Sequence, residues 1–225
     1  APSSARTQVL AANVDLALLV FAARAPEPRR GLVDRFLVAC EHADIEAVVV
    51  VNKVDQGVEL VEGWPAVYMP WGYPVLLVSA RTGRGMGQIK RLLVERTTLF
   101  CGPSGAGKSS LLNAVYPGFR LKVGTISEAT GKGKHTTTTA ELMPLPYGGF
   151  VVDTPGLKEF GLANLTPAEL RACFPELRDH VGACRYPDCS HVHEPECVVQ
   201  DAVQSGDIDP DRYRSYAAML AELEA

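Results

Sequence analysis

The glycine-rich segment GPSGAGKS at residues 102–109 restricts the possible folds of this chain more than any other feature. It matches the pattern GxxxxGK[ST], in which backbone N–H groups of a loop surround the phosphates of a nucleotide. That pattern requires a buried strand before the loop and a helix after it. The apolar segment TTLFCG (97–102) and the segment KSSLLNAVY (108–116) meet both requirements. The sequence therefore predicts a P-loop nucleotide-binding domain.

The residues of this loop have predicted roles. Successive N–H groups and the positive end of the following helix favour phosphate oxygens. We expect Lys108 to contact the β- and γ-phosphates and to act in catalysis, and the Ser109 hydroxyl to bind Mg²⁺. The predicted phosphate-binding residues are Gly102, Pro103, Ser104, Gly105, Ala106, Gly107, Lys108, Ser109 and Ser110.

Apolar runs alternate with helical patterns along the first 160 residues. The predicted strands cover residues 14–23, 46–55, 73–80, 97–102, 140–146 and 148–156. The predicted helices cover residues 30–43, 86–95 and 108–116. This alternation predicts an α/β fold, with a mostly parallel sheet and helices on both faces.

Two segments that follow predicted strands indicate guanine as the base. Asn52-Lys53-Val-Asp55 ends one strand, and Ser79-Ala80 ends another. The Asp55 carboxylate can accept hydrogen bonds from guanine N1–H and the exocyclic amine, whereas adenine would leave this buried charge unpaired. The Lys53 stem can cover the face of the base, and the Ala80 N–H can donate to guanine O6. The sequence therefore predicts GTP and GDP as ligands.

Two further segments are candidates for γ-phosphate and Mg²⁺ binding. Asp153-Thr-Pro-Gly156 follows an apolar strand, so we expect Asp153 to hold Mg²⁺ through water and the Gly156 N–H to meet the γ-phosphate. The run Thr136–Thr139 lies in a long polar loop. One of its hydroxyls, with Thr137 and Thr138 as candidates, can complete the Mg²⁺ shell. Alternatively these threonines begin a β-strand, which their propensity favours.

Leu157 occupies the position at which many GTPases carry a glutamine that orients the attacking water. A leucine cannot do this, so hydrolysis should be slow or should use another group. His135, beside the threonine run, is the nearest candidate catalytic residue; the alternative is an exposed loop histidine. Our hypothesis is that His135 positions water only when a partner orders the loop.

The order of these motifs is rotated. Ordinary GTPases run P-loop, threonine, DxxG, NKxD and SA, but here the NKVD and SA segments come first and DTPG comes last. A folded domain tolerates circular permutation when its original termini lie close together. We therefore predict a circularly permuted GTPase domain over residues 1–160.

The composition changes near residue 160. Residues 165–225 look helical, with TPAEL (166–170) as a capping-box start. A Cys/His cluster interrupts them and predicts one closed, structural Zn²⁺ site with Cys184, Cys189, His191 and Cys197 as ligands. His193 is a possible substitute ligand, and a disulfide or plain buried cysteines are the alternatives. The prediction is a small, mainly α-helical zinc-binding domain over residues 161–225.

The bulk composition limits the possible partners and location. The net charge of −4 gives the chain little overall attraction for nucleic acid. Local basic residues remain, namely Arg120, Lys122, Lys132 and Lys134 in the loop and Arg171, Arg178 and Arg185 near the zinc site. No apolar run reaches the roughly 18–20 residues that span a bilayer, and no signal peptide is recognisable. We expect a cytoplasmic monomer without membrane contact.

Taken together, these segments resemble the RsgA family of GTPases that depend on the small ribosomal subunit, also called the YjeQ or YloQ family. The resemblance is carried by AANVDLALLVFAA, VVVVNKVD, YPVLLVSARTGRG, GPSGAGKSSLLNAV, GKHTTTTAELMPL, VVDTPGLKEFGL and CRYPDCSHVHEPECVV. These stretches cover nearly the whole chain in the family's order. The permuted motifs together with the HTTTT string and the zinc spacing make the resemblance highly specific.

The resemblance implies a GTPase that assists late maturation of the small ribosomal subunit, contacts its rRNA and is stimulated by it. It also implies His135 as the catalytic histidine, Leu157 as the apolar replacement for glutamine, and the Cys/His cluster as zinc ligands. The family's N-terminal OB-fold is expected to be missing here. A nucleotide-gated RNA- or protein-binding switch with negligible turnover remains the alternative.

Overall fold

The computed structural model describes residues 13–121, 141–153 and 165–225, which fall into two units. The first unit comprises the described parts of residues 1–28 and 45–159, and the second those of 29–44 and 160–225. Helix α1 (Arg30–His42) thus groups with C-terminal residues, although it lies between two strands of the first unit in the sequence. The division into domains at residue 160 stays a prediction.

The first unit contains one sheet. Its strands are β1 (Leu16–Ala22), β2 (Glu46–Asn52), β3 (Val75–Leu77), β4 (Thr97–Cys101), β5 (Glu141–Pro144) and β6 (Phe150–Asp153). They are arranged in the order β3-β2-β1-β4-β6-β5. Every neighbouring pair is parallel except β5 with β6, which is antiparallel. The predicted α/β fold with a mostly parallel sheet is confirmed.

The strand ends differ from the predicted ones for local reasons. Strand β2 stops at Asn52 because Lys53 adopts a positive φ of 64° and residues Val54–Gln56 form a 3₁₀ turn. Strand β3 is short because Pro74 has no N–H to donate at its start. At its other end, a turn closed by the Gly83 N–H and the Ser79 carbonyl follows at once.

Helices cover both faces of this sheet. Helices α3 (Met86–Leu93) and α4 (Lys108–Val115) bury their apolar sides against Val20 and Phe100. Phe21 points to the opposite face because successive strand residues alternate. There its ring meets Trp64 of helix α2 (Trp64–Tyr68) edge to face, with 5.9 Å between ring centroids. Helix α2 has only five residues, too few for a helical pattern in the sequence.

The second unit is helical. Besides α1 it contains α5 (Pro167–Ala172), α6 (Pro175–Arg178), α7 (Val198–Ser205) and α8 (Pro210–Leu223). Its core includes Leu170, Phe174 and Tyr216. The predicted capping box is present, since Thr166 accepts from the Glu169 N–H while the Glu169 carboxylate accepts from the Thr166 N–H. Across the described residues, no helix combines the length and hydrophobicity that crossing a membrane requires.

A buried ion network joins three helices of this unit. Arg212 of α8 donates to Asp34 of α1 at 2.8 Å and to both carboxylate oxygens of Glu176 of α6 at 2.6 and 2.9 Å. All three side chains are at most 1% exposed. The guanidinium also lies 4.8 Å from the centre of the Phe174 ring. This network fixes α1 to the C-terminal helices.

Candidate functional site

The sequence motifs of the first unit meet at one edge of the sheet. Asn52 ends β2, the Ser79-Ala80 segment follows β3, and residues 102–107 connect β4 to α4. These strands are parallel, so their carboxyl ends lie at the same edge, where open α/β sheets bind their ligands. The backbone of Asp153 reaches the same edge, since it ends β6 and pairs with Phe100 of β4.

The P-loop backbone requires glycine at its first position. Gly102 has φ of 135°, and a Cβ placed there would overlap the Val20 carbonyl oxygen and lie 3.0 Å from the carbonyl carbon. Val20 belongs to β1, so the loop begins in direct contact with the neighbouring strand. Gly105 and Gly107 also have positive φ values, 80° and 94°. The loop therefore curls back over the end of the sheet before α4 begins.

Lys108 lies across the loop that precedes it. Its Nζ donates to the Gly102 carbonyl at 2.7 Å and to the Pro103 carbonyl at 3.1 Å. Ser109 and Ser110, in the first turn of α4, are half-buried. The ammonium group is thus placed beside the backbone groups that the sequence assigns to phosphate binding.

Asn52 connects three segments of the site. Its side chain is buried, and its Nδ2 donates to the Ala106 carbonyl at 3.0 Å. Its Oδ1 accepts from the Ala80 N–H at 3.1 Å. This N–H was predicted to donate to guanine O6, but in the structure it donates to Asn52. A Cβ at Gly107 would overlap Asn52 Nδ2, which explains the second essential glycine of the loop.

Lys53 adds a second connection to the P-loop. Its Nζ donates to the Gly105 carbonyl and to the Ala25 carbonyl, each at 2.7 Å. Burial lowers the pKa of Lys53, while the nearby Asp55 charge acts in the opposite direction. The sequence predicted contact with the base but gave no sign of these two carbonyl partners, because both lie far away along the chain.

The Asp55 carboxylate is held in place by two side chains. The Ser79 hydroxyl donates to its Oδ1. Arg81 donates to its Oδ2 through Nε at 2.7 Å and Nη2 at 2.6 Å. The hydrogen bond from Ser79, followed by that from Arg81, lowers the pKa of Asp55. Asp55 is therefore ionised at neutral pH, and the stability from these contacts is lost as the pH falls below the ordinary carboxyl range.

Arg81 is a site residue that the sequence analysis did not single out. Its guanidinium contacts Asp55 although its side chain is 72% exposed. The available signal was its position, two residues after Ser79 in the segment SAR. An arginine there reaches back to the carboxylate because the chain turns immediately after β3.

Replacing Asp55 with asparagine should change the preferred base. The amide NH₂ cannot accept from the two guanine donors, so we expect GTP affinity to fall by about 100-fold or more. Xanthosine triphosphate, which has an acceptor where guanine has its amine, should then bind better than GTP. Competition against a fluorescent guanine nucleotide measures both affinities, and Arg81→Lys serves as the control. An unchanged preference for GTP would show that Asp55 does not contact the base.

The Cys/His cluster converges on one point. Cys184 Sγ and Cys197 Sγ lie 3.8 Å apart, and each lies 3.4 Å from His191 Nδ1. With Cys189 Sγ included, the four atoms lie within 4.8 Å of one another. In a tetrahedral zinc site, bond lengths of about 2.3 Å to sulfur and 2.0–2.1 Å to nitrogen give edges of about 3.8 and 3.6 Å. The donor set therefore fits zinc.

The loop that carries these ligands is held by neighbouring helices. The Tyr213 and Tyr216 hydroxyls of α8 donate to the His191 and Ser190 carbonyls at 2.8 and 2.7 Å. Arg171 of α5 donates to the Cys189 carbonyl. Burial raises the pKa of the Cys189 thiol to about 12. From the sequence, Arg171 was identified only as a basic residue near the zinc site and the two tyrosines were not identified, since each of the three acts on a backbone carbonyl.

The structure bears on two alternatives for this cluster, a disulfide and His193 as a ligand. All six cysteines are free thiols, so the structure contains no disulfide between them. His193, the possible substitute ligand, is exposed and is not part of the group of four.

Several predicted site residues lie outside the described part of the chain. These are His135, Thr137, Thr138, Gly156 and Leu157. Their roles in Mg²⁺ binding, γ-phosphate binding and catalysis stay predictions.

Comparisons with known proteins agree with this geometry. A family model described as RsgA GTPase matches residues 1–163. The chain is 47% identical over 214 residues to a protein of Moorella thermoacetica named "Small ribosomal subunit biogenesis GTPase RsgA", covering 95% of this chain and 74% of that one. Proteins of the same name from Gemmatimonas aurantiaca and Pseudomonas fluorescens are each 44% identical. This chain spans 71% and 65% of their lengths, respectively.

Two solved structures are also similar. YjeQ from Thermotoga maritima superimposes with a TM-score of 0.80 at 39% identity, covering 95% of this chain and 72% of that one. YloQ, described as a circularly permuted GTPase, gives a TM-score of 0.77 at 34% identity and covers 94% and 69%. The chain belongs to the RsgA GTPase family, whose members are GTP-hydrolysing enzymes, and its motifs follow the circularly permuted order.

Proposed function

We propose that this chain hydrolyses GTP to GDP and phosphate as a late maturation factor of the small ribosomal subunit, and that the subunit stimulates this reaction. The observation that carries the GTP assignment is the Asp55 carboxylate, fixed by Ser79 and Arg81 at the same sheet edge as the P-loop. The names of the curated relatives supply the partner. The protein would act in the cytoplasm as a monomer that contacts rRNA.

Different residues of the site would bind the phosphates and the Mg²⁺ ion. The P-loop N–H groups and Lys108 would bind the β- and γ-phosphates, with Lys108 exchanging its bonds to Gly102 and Pro103 for phosphate oxygens. Ser109, Asp153 and Thr137 or Thr138 would hold Mg²⁺. When bound, this ion neutralises the charge that develops on the phosphate oxygens.

The attacking water requires a further group, because Leu157 cannot orient it. We assign this role to His135, placed by contact with the small subunit. A His135→Ala variant should bind GTP normally and lose the part of turnover that depends on the subunit. Unchanged stimulated turnover in this variant would refute the assignment.

A second candidate function is a nucleotide-gated switch that binds RNA or protein with negligible turnover. Leu157 is the observation that favours it. Single-turnover hydrolysis of bound GTP, followed with and without purified small subunits, separates the two functions. Co-sedimentation with the subunits at several salt concentrations then tests the partner, because binding through phosphates weakens steeply with salt. GTP that stays intact under both conditions would favour the switch.

We propose further that Cys184, Cys189, His191 and Cys197 bind one structural zinc ion. The support is the agreement between their spacing and a tetrahedral site. Such an ion would supply no chemistry to hydrolysis. It would stabilise the second unit, in which the ligand loop is already fixed by Tyr213 and Tyr216.

Substituting Cys197 with serine should remove the zinc and destabilise the second unit. Structural zinc sites supply on the order of 10 kcal/mol of binding free energy, so we expect most of this unit's stability to depend on the ion. Metal analysis and thermal unfolding of the purified protein measure both effects. Cys173→Ser, at a buried thiol outside the cluster, should keep one zinc per chain. Wild-type protein that contains no zinc would contradict the proposal.

A further inference from the structure

A groove runs along the outer edge of the sheet, beside the turn in which the Ser79 N–H donates to the Arg84 carbonyl. It has a volume of about 600 Å³. Strand β3 forms its floor and the start of α3 forms one wall. The lining residues are Pro65, Val75, Leu76, Leu77, Arg84, Gly85, Gly87, Gln88 and Arg91. Neither the P-loop nor the Asn52–Asp55 segment contributes to it.

Strand β3 offers backbone groups to this groove. Among the described residues, it is the last strand on its side of the sheet and pairs with β2 alone. The Pro74 carbonyl and the Val78 N–H bond to β2. Because alternate residues bond to one neighbour in a parallel pair, the N–H and C=O groups of Val75 and Leu77 face outward. The groove floor therefore carries hydrogen-bonding groups as well as apolar side chains.

The charge of the groove is positive. Of the described residues that line it, only Arg84 and Arg91 are charged, and both are exposed. Within the described ranges, neither guanidinium group has a hydrogen-bond or ion-pair partner. Two other arginines of the first unit do have carboxylate partners, since Arg81 is bound to Asp55 and Arg96 to Glu46. Two unpaired arginines in one groove are notable in a chain whose net charge is −4.

The basic residues near the zinc site are less available. Arg171 is bound to the Cys189 carbonyl, Arg178 contacts Glu41, and Arg185 pairs with Glu196. In the sequence, these three arginines were the local basic residues near the zinc site that could attract RNA. Their partners make them weaker candidates for phosphate binding than Arg84 and Arg91.

We propose that this groove binds the phosphodiester backbone of RNA. Arginine presents a planar fork that matches the oxygens of a phosphate, and outward N–H groups add neutral donors that do not depend on base sequence. Gly87 adds no side chain to the wall, and a Cβ there would meet only Arg91, so that a backbone can approach closely. A peptide added as an extra strand is less suited, because β3 has only three residues. The identification of the RNA as ribosomal rests on the proposed function.

The test compares charge removal inside and outside the groove. The variant Arg84→Gln/Arg91→Gln removes both groove cations. Lys90→Gln is the matched control, because Lys90 is exposed on the same helix next to Arg91 but does not line the groove. Nucleotide affinity of each variant reports correct folding. Binding is measured to purified small subunits and to rRNA extracted from them, between 50 and 200 mM KCl, conditions chosen because phosphate contacts respond to salt over about this range.

We expect the double variant to bind the extracted rRNA roughly tenfold more weakly. Its affinity should also fall less steeply with salt, by the amount that corresponds to the loss of about one to two phosphate contacts. Lys90→Gln should stay close to wild type. Equal RNA binding by the double variant and the control would overturn the groove assignment. So would a loss confined to an acidic probe such as polyglutamate, which would identify a peptide site instead.

The same experiment separates the groove from the proposed function. If wild-type protein binds extracted rRNA through the two arginines but ignores intact subunits, the groove stands and the proposed function fails. If it binds subunits equally well with and without the arginines, the proposed function stands and the groove fails. Binding to neither probe contradicts both.

Discussion

Replacing Gly102 with alanine should abolish nucleotide binding and lower the free energy of unfolding by about 3–5 kcal/mol. The added Cβ would overlap the Val20 carbonyl oxygen and lie 3.0 and 3.2 Å from the carbonyl carbon and the nitrogen of the same residue. All three atoms belong to the backbone of β1, which pairs with strands on both sides and cannot give way. The P-loop would have to lift off the sheet.

Gly72→Ala is the matched control for this substitution. Gly72 also has a positive φ, 88°, but a Cβ there meets nothing within 4 Å. Gly72→Ala should lower the free energy of unfolding only by the cost of a left-handed alanine, about 1–2 kcal/mol, and should leave nucleotide binding intact. Urea unfolding and titration with a fluorescent guanine nucleotide measure both variants. Equal stability and equal affinity of the two variants would contradict the close contact between Gly102 and β1.

Replacing Arg212 with methionine should lower the free energy of unfolding by about 3–5 kcal/mol. The substitution keeps much of the side-chain volume but leaves two carboxylates, Asp34 and Glu176, buried without their cation. It also removes the contact between the guanidinium and the Phe174 ring. The loss should appear in thermal and urea unfolding, whereas guanine-nucleotide affinity should change little, since these residues belong to the second unit.

Arg214→Met provides the comparison on the same helix. Its ion pair with Asp211 is exposed, with 75% of the arginine side chain accessible, so its removal should cost less than about 1 kcal/mol. A triple variant that replaces Arg212, Asp34 and Glu176 by apolar residues should recover much of the loss, because the unpaired charges are gone. If Arg212→Met is no more destabilising than Arg214→Met, the buried network does not support the unit.

The motifs could be located from the sequence because each has short-range requirements. The P-loop needs successive glycines before a helix, and the guanine segment needs Asp55 just after a buried strand. Apolar runs also identified the strands, including the fully buried β1. A site whose residues are close together in the sequence can therefore be predicted without a structure.

Long-range contacts could not be predicted in the same way. Asn52 bonds to Ala106, which lies 54 positions away, and Arg212 bonds to Asp34 across 178 positions. No periodicity or motif encodes such pairs, because the partners meet only after the fold has formed. The grouping of α1 with the C-terminal helices could not be predicted for the same reason. Nothing in the sequence around the buried Asp34 indicates that its cationic partner lies so far along the chain.

The most direct test of the central claim is the rate of GTP hydrolysis by the full chain, with and without purified small ribosomal subunits. We predict slow hydrolysis without the subunits and stimulation on the order of 100-fold with them, which is the effect of one well-placed catalytic group. Asp55→Asn should lose the stimulated rate with GTP. Bound GTP whose hydrolysis does not respond to the subunits would contradict the proposed function.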